Sequence, residues 1–218
     1  MSIQNNLKQI QSQLPNHVTL VAVSKTKPIE DLMEAYNAGQ RIFGENYVQE
    51  LVEKQDLLPK DIQWHFIGHL QSKKVKFIAP FVSLIHGVDS LKLLIEINKQ
   101  AQKNNRIIDV LLQISIAEEE TKFGLEFDEI SDIIEYVYDD QKAPNIRIVG
   151  LMAMATNIDD EAQIANEFGF FMHTFTTLNL FSPDITIKSI GMSADFKIAI
   201  NSGSSMVRIG SSIFGGRK

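Results

Sequence analysis

The chain has 218 residues, 44% of them hydrophobic and 22% charged, which is ample material for one large core and too apolar for a disordered segment. A net charge of −6 offers no general attraction to nucleic acid or anionic lipid, and the short basic run Lys73, Lys74, Lys76 reads as the wet face of a helix. Cysteine is absent, which excludes disulfides, thiolate catalysis and cysteine-ligated metal centres and fits a cytoplasmic protein.

From the first residue, Met1–Gln13 alternates polar and apolar positions without the hydrophobic core of a signal peptide. No apolar stretch approaches the roughly 20 residues that span a bilayer. Val18–Val23 (VTLVAV) is a β-branched, nearly all-apolar run, as expected of a strand covered on both faces. Ile29–Ala38 follows with helical spacing, Ile29, Leu32, Met33 and Tyr36 sharing a face, and Gly39 closes it. Strand-like runs recur at Arg41–Phe43, Gln63–Ile67, Phe81–His86, Ile107–Ile114, Ile146–Met152, Ile185–Ile190 and Met206–Ile209. Helical stretches lie between them, among them Tyr47–Leu58, Leu91–Lys103, Asp128–Tyr138 and Asp160–Leu178.

This alternation predicts an α/β fold with a parallel sheet, and its closed eight-stranded form is the TIM barrel. An open doubly wound sheet would feed its first strand into a glycine-rich phosphate turn. The turn here, Ser24-Lys25-Thr26-Lys27-Pro28, holds no glycine, whereas glycines gather late, at Gly191, Gly203, Gly210, Gly215 and Gly216. The reading is a single-domain (β/α)8 barrel over residues 1–218, with no internal repeat or linker.

A barrel places its site at the carboxyl ends of the strands, with phosphate favouring the loops after strands seven and eight. Lys25 stands at the end of strand one, where desolvation and the nearby Lys27 charge would favour the free amine needed for a Schiff base; a surface lysine opening a loop is the competing reading. Gly191-Met192-Ser193, Asn201-Ser202-Gly203-Ser204-Ser205 and Arg208-Ile209-Gly210-Ser211-Ser212 offer backbone donors and hydroxyls for a phosphate, and Arg208 suits a phosphate or a ring nitrogen. Asn46, beside Glu45 at the end of strand two, either bonds a ligand oxygen or caps the following helix. His65 and His69 are four apart, but they fall on a strand and past Gly68 rather than on one helix, which argues against a metal pair. His17, His86 and His173 read as surface or packing residues, and Glu118-Glu119-Glu120 as a solvated loop.

Six segments together resemble the YggS/PROSC family of pyridoxal phosphate (PLP) homeostasis proteins. They are Ala22-Val23-Ser24-Lys25-Thr26-Lys27-Pro28, Phe43-Gly44-Glu45-Asn46-Tyr47-Val48-Gln49-Glu50, Trp64-His65-Phe66-Ile67-Gly68-His69-Leu70-Gln71-Ser72, Gly150-Leu151-Met152-Ala153-Met154, Gly191-Met192-Ser193 and Ser204-Ser205-Met206-Val207-Arg208-Ile209-Gly210. The resemblance runs from the first strand to the last. It implies an alanine racemase N-terminal domain-like barrel standing without that enzyme's second domain. It further implies that Lys25 forms an internal aldimine with PLP, that Ser193 and the Gly210-Ser211 turn hold its phosphate, and that Arg208 lies near the pyridine nitrogen. Departures from the family pattern are Lys73 for a common asparagine, Ala194 for a frequent aspartate, and Asn201-Ser202-Gly203 where alanine-glycine is frequent; none removes a residue assigned to the cofactor.

The implied role is to carry or buffer PLP, without established turnover. An arginine near the ring nitrogen disfavours its protonation and weakens the electron sink. A racemase also needs a second acid/base opposite the first, for which Tyr47 or His65 is available. A small PLP-dependent amino-acid racemase is the alternative, and a barrel for another phosphorylated metabolite, with Lys25 ion-paired, is a third. Expected partners are PLP and PLP-dependent apo-enzymes, with no nucleic acid and no membrane. A lone barrel without an obvious exposed apolar stripe reads as a monomer.

Overall fold

The apolar runs become eight strands: β1 (Thr19–Val23), β2 (Ile42–Glu45), β3 (Gln63–Phe66), β4 (Leu84–Val88), β5 (Ile108–Gln113), β6 (Ile146–Met152), β7 (Ile187–Met192) and β8 (Met206–Ile209). In this computed structural model, which describes residues 2–117, 124–139, 141–181 and 184–216, the strands pair in chain order, all parallel. The sheet closes where β8 meets β1, in register from Thr19 opposite Met206 to Ala22 opposite Ile209. The expected (β/α)8 barrel is the observed one.

Parallel neighbours require crossovers, and the amphipathic stretches supply them. They are α2 (Ile29–Asn37), α3 (Val48–Leu57), α4 (Val75–Ile78), α5 (Leu91–Lys103), α6 (Phe127–Ile134), α7 (Glu161–Phe181) and α8 (Phe196–Asn201), with α1 (Ile3–Gln11) before the barrel and α9 (Ser211–Phe214) after it. Side-chain oxygens start several of them: Ser2 caps α1, Ser90 caps α5, and Glu126 with Glu129 forms a capping box on α6. Lys73 and Lys74 lie in a short 3₁₀ turn ahead of α4, which carries Lys76.

Boundaries differ from the sequence reading in physical ways. The fourth strand starts at Leu84, since Phe81 and Val82 close the turn after α4 through bonds to the Ile78 carbonyl. The seventh is shifted to Ile187–Met192. The sixth helix widens into a π turn at Glu135–Asp139 instead of continuing as α-helix. The short helices α1, α4, α8 and α9 were not anticipated. The Glu118-Glu119-Glu120 segment lies outside the described residues.

Because strand side chains alternate, the core divides in two. Leu20, Ala22, Phe43, Trp64, Ile85, Leu112, Leu151 and Val207 pack outward under the helices. Val21, Leu84, Leu111, Met152 and Met206 form a separate cluster inside the barrel. That inner parity decides what reaches the mouth. Continuing Val21 and Val23 by two residues gives Lys25; continuing Gly44 gives Asn46; continuing Met206 gives Arg208 and Gly210.

Candidate functional site

A cavity of about 440 Å³ opens at the carboxyl ends of the strands, within the range of about 300–1,000 Å³ usual for small-molecule sites. Its lining brings together Lys25, Asn46, Ser193, Arg208, Gly210 and Ser211. Val23, Ile67, Met154 and Met192 supply apolar walls, and Asn157, unremarked in the sequence, joins the rim.

The turn carrying Lys25 rests on a buried ionic cluster. Lys54 of α3 is 4% exposed and its Nζ donates to the Ser24 carbonyl at 2.7 Å, to Glu45 Oε1 at 2.7 Å and to Glu50 Oε1 at 2.6 Å. Ser24 Oγ donates to Glu45 Oε1 at 2.6 Å. The Thr26 backbone N–H donates to Glu50 Oε1 at 2.6 Å, while Thr26 holds a left-handed φ of 62°. Burial pushes the Glu45 carboxyl up, against the opposing pull of Lys54. Lys27 turns away from this cluster and donates to the carbonyls of Phe214, Gly215 and Gly216 at 3.0, 3.0 and 3.1 Å.

Arg208 is anchored differently. Its Nη1 donates to the Ser189 carbonyl and to Ser189 Oγ, both at 2.7 Å, and its Nη2 to the Ala153 carbonyl at 3.0 Å. Ser189 Oγ lies 3.1 Å from His86 Nδ1, and His86 Nε2 lies 3.0 Å from His65 Nδ1. Arginine only donates, so Ser189 Oγ accepts from Arg208 and its proton can point at His86 Nδ1. Burial drives His65 down to about 3 and His86 well below its ordinary value, and it lowers Arg208 to about 10. His86, read from the sequence as a packing residue without partners, is thus the middle of a chain across the barrel interior. Only strand register, which places β3, β4 and β7 side chains inward, could have shown it. His69 lies apart and bonds Asp89 through Nδ1 at 3.0 Å.

Ser193 and Gly210 meet across β7 and β8, the Gly210 N–H donating to Ser193 Oγ at 3.2 Å. The β7 turn needs its glycine: Gly191 has φ +99°, and a Cβ there would come within 2.6 Å of Ala199 Cβ. Asp195 fastens the same turn by accepting the Met192 N–H. Ser211 opens α9 at the rim. The Asn201–Ser205 segment, expected to help bind phosphate, does not do so. It precedes β8 and therefore sits at the opposite end of the barrel, where Ser204 Oγ donates within the frame to carbonyls including Ile190 at 2.8 Å.

Asn46 does not cap α3. Tyr47, not Asn46, is the N-cap of α3, with no side-chain cap bond. Asn46 Oδ1 is buried without a hydrogen-bond partner, and Asn46 lines the cavity. Neither Tyr47, which is 57% exposed, nor His65, which is buried, lines the cavity.

Residues 1–218 match the sequence model of the alanine racemase N-terminal domain family. The pyridoxal phosphate homeostasis proteins of Pasteurella multocida, Vibrio alginolyticus and Escherichia coli are 40, 38 and 38% identical, and the matches cover 99–100% of this chain and 97–98% of theirs. The chain belongs to the pyridoxal phosphate homeostasis protein family. Among solved structures, PipY of Synechococcus elongatus with PLP bound superposes with a TM-score of 0.88 at 32% identity, covering 98% of this chain and 100% of that one. The alanine racemase of Clostridium difficile shares the barrel alone, with a TM-score of 0.79 at 17% identity over 57% of its own length. No helix among the described residues is long and apolar enough to cross a membrane.

Proposed function

We propose that this chain binds pyridoxal phosphate through Lys25 and stores or hands on the cofactor, with no substrate turnover of its own. The observation that carries this is the convergence of Lys25, Arg208, Ser193, Gly210 and Ser211 on one cavity beside the unpartnered Asn46 Oδ1. A relative with the same barrel holds PLP, and relatives matched over their full length are named for its homeostasis. The cofactor would supply an aldehyde, a group with which a lysine amine such as that of Lys25 condenses.

The chain's own groups then divide the ligand between them. Ser193 with the Gly210-Ser211 turn would hold the phosphate, as hydroxyl and backbone donors between two strand ends. Arg208, fixed by three hydrogen bonds, would face the ring nitrogen. A guanidinium there would disfavour protonation of that nitrogen, which would favour storage over carbanion chemistry. Asn46 Oδ1 would accept a hydrogen bond from a ring substituent. The racemase alternative lacks support at the second acid/base, because neither Tyr47 nor His65 lines the cavity.

The test has two parts. Titrating apoprotein with PLP should give a saturable visible absorbance, and mixing the loaded protein with a PLP-dependent apo-enzyme should restore that enzyme's activity. Incubating the loaded protein with amino acids in deuterium oxide should leave the α-hydrogen in place. Exchange at a rate typical of enzymes would replace the carrier reading with the racemase one. The proposed state is a monomer, and sedimentation of the loaded and free forms at one mass checks it.

A further inference from the structure

Thr26 is one of three non-glycine residues with positive φ among those described, and it follows Lys25 directly. A β-branched residue is costly in that conformation and stays there only where its surroundings hold it. The hold is visible. Glu50 accepts the Thr26 N–H, and Lys54 grips both Glu50 and the Ser24 carbonyl, so the residues on either side of Lys25 are tied to one helix, α3. Glu45 seats the same ammonium from below and takes the Ser24 hydroxyl. None of these three charged residues lines the cavity. They contact the turn, not the ligand.

We propose that Glu50 is a positioning residue for Lys25: its carboxylate, oriented by Lys54, holds Thr26 in the left-handed turn that keeps the Lys25 side chain inside the cavity. This rests on the reading that Lys25 is the PLP lysine. The sequence favours the arrangement, since Glu50 and Lys54 are four apart on α3 and so share a face. Without Glu50 the turn relaxes toward negative φ, and the Lys25 amine spends less time aimed at the ligand. The device sets how fast the covalent adduct forms more than whether the barrel folds.

The experiment mixes apoprotein with PLP and follows the visible absorbance of the adduct, with melting temperatures measured in parallel. Wild type, Lys25→Ala, Glu50→Ala, Thr26→Gly and the Glu50→Ala/Thr26→Gly double variant are compared. Glu50→Ala should slow adduct formation by about tenfold, the scale set by one backbone strain. Glycine adopts positive φ without that strain, so the double variant should return to within about twofold of wild type while melting no higher than Glu50→Ala. Rescue without added stability separates positioning from a structural role. Wild-type kinetics in Glu50→Ala, or a double variant as slow as Glu50→Ala, would overturn the inference alone. A wild type that forms no adduct, or a Lys25→Ala variant that still forms one, would overturn the ligand reading and this inference with it.

Discussion

Lys25 and Arg208 face one cavity, but what stands behind them differs. Behind the Lys25 turn lie two carboxylates held by one buried ammonium. Behind Arg208 lie a serine, two neutral histidines and backbone carbonyls, with Asp195 acting on the guanidinium through its charge. The first arrangement fixes a backbone; the second fixes a charge, and its hydrogen bonds come from dipoles.

The contrast has opposite pH signatures. His65 and His86 titrate lower when folded than their ordinary value of 6.5, so their contribution is complete above 6.5 and is lost as pH falls toward about 3. Glu45 is raised above 4.5, so its contribution is complete below 4.5 and is lost as pH rises through the folded value. The largest expected effect follows: urea unfolding at pH 5 should give about 4 kcal/mol less stability from the two histidines than at pH 7. His65→Gln should halve that loss; an unchanged loss would remove the neutral-histidine account.

Lys54→Met comes next, at about 3 kcal/mol near neutral pH, because it strips the buried carboxylates of their counter-charge. Its cost should shrink toward pH 5, as Glu45 accepts a proton more readily. Arg208→Met should cost about 2 kcal/mol, since it strands two carbonyls and a hydroxyl but no charge. Its cost should be insensitive to pH, and a cost that tracks pH as Lys54→Met does would erase the distinction. Smallest is Arg147→Gln, which removes the exposed pair with Asp109 and should change stability by about 0.5 kcal/mol. Denaturant midpoints across pH measure all three.

Much of this was legible in the chain. Alternating apolar runs and helical faces define the barrel, and period-two counting from Val21 and Val23 aims Lys25 inward. That the turns after strands seven and eight reach the cavity follows from the barrel itself. Three features escaped. The His65–His86–Ser189 chain joins residues up to 124 positions apart in number, so only barrel closure reveals it. Asn201–Ser205 looks like a phosphate loop by composition, but a loop leading into a strand lies at the wrong end. The Glu50–Thr26 tie depends on a positive φ, which threonine does not announce.

The most direct test of the central claim is peptide mapping of wild-type protein loaded with PLP and reduced with borohydride. The account predicts a pyridoxyl group on Lys25, with Lys27 and Lys54 unmodified because their amines are engaged by carbonyls and carboxylates. A reduced group on another lysine, or none after incubation with excess PLP, would contradict it.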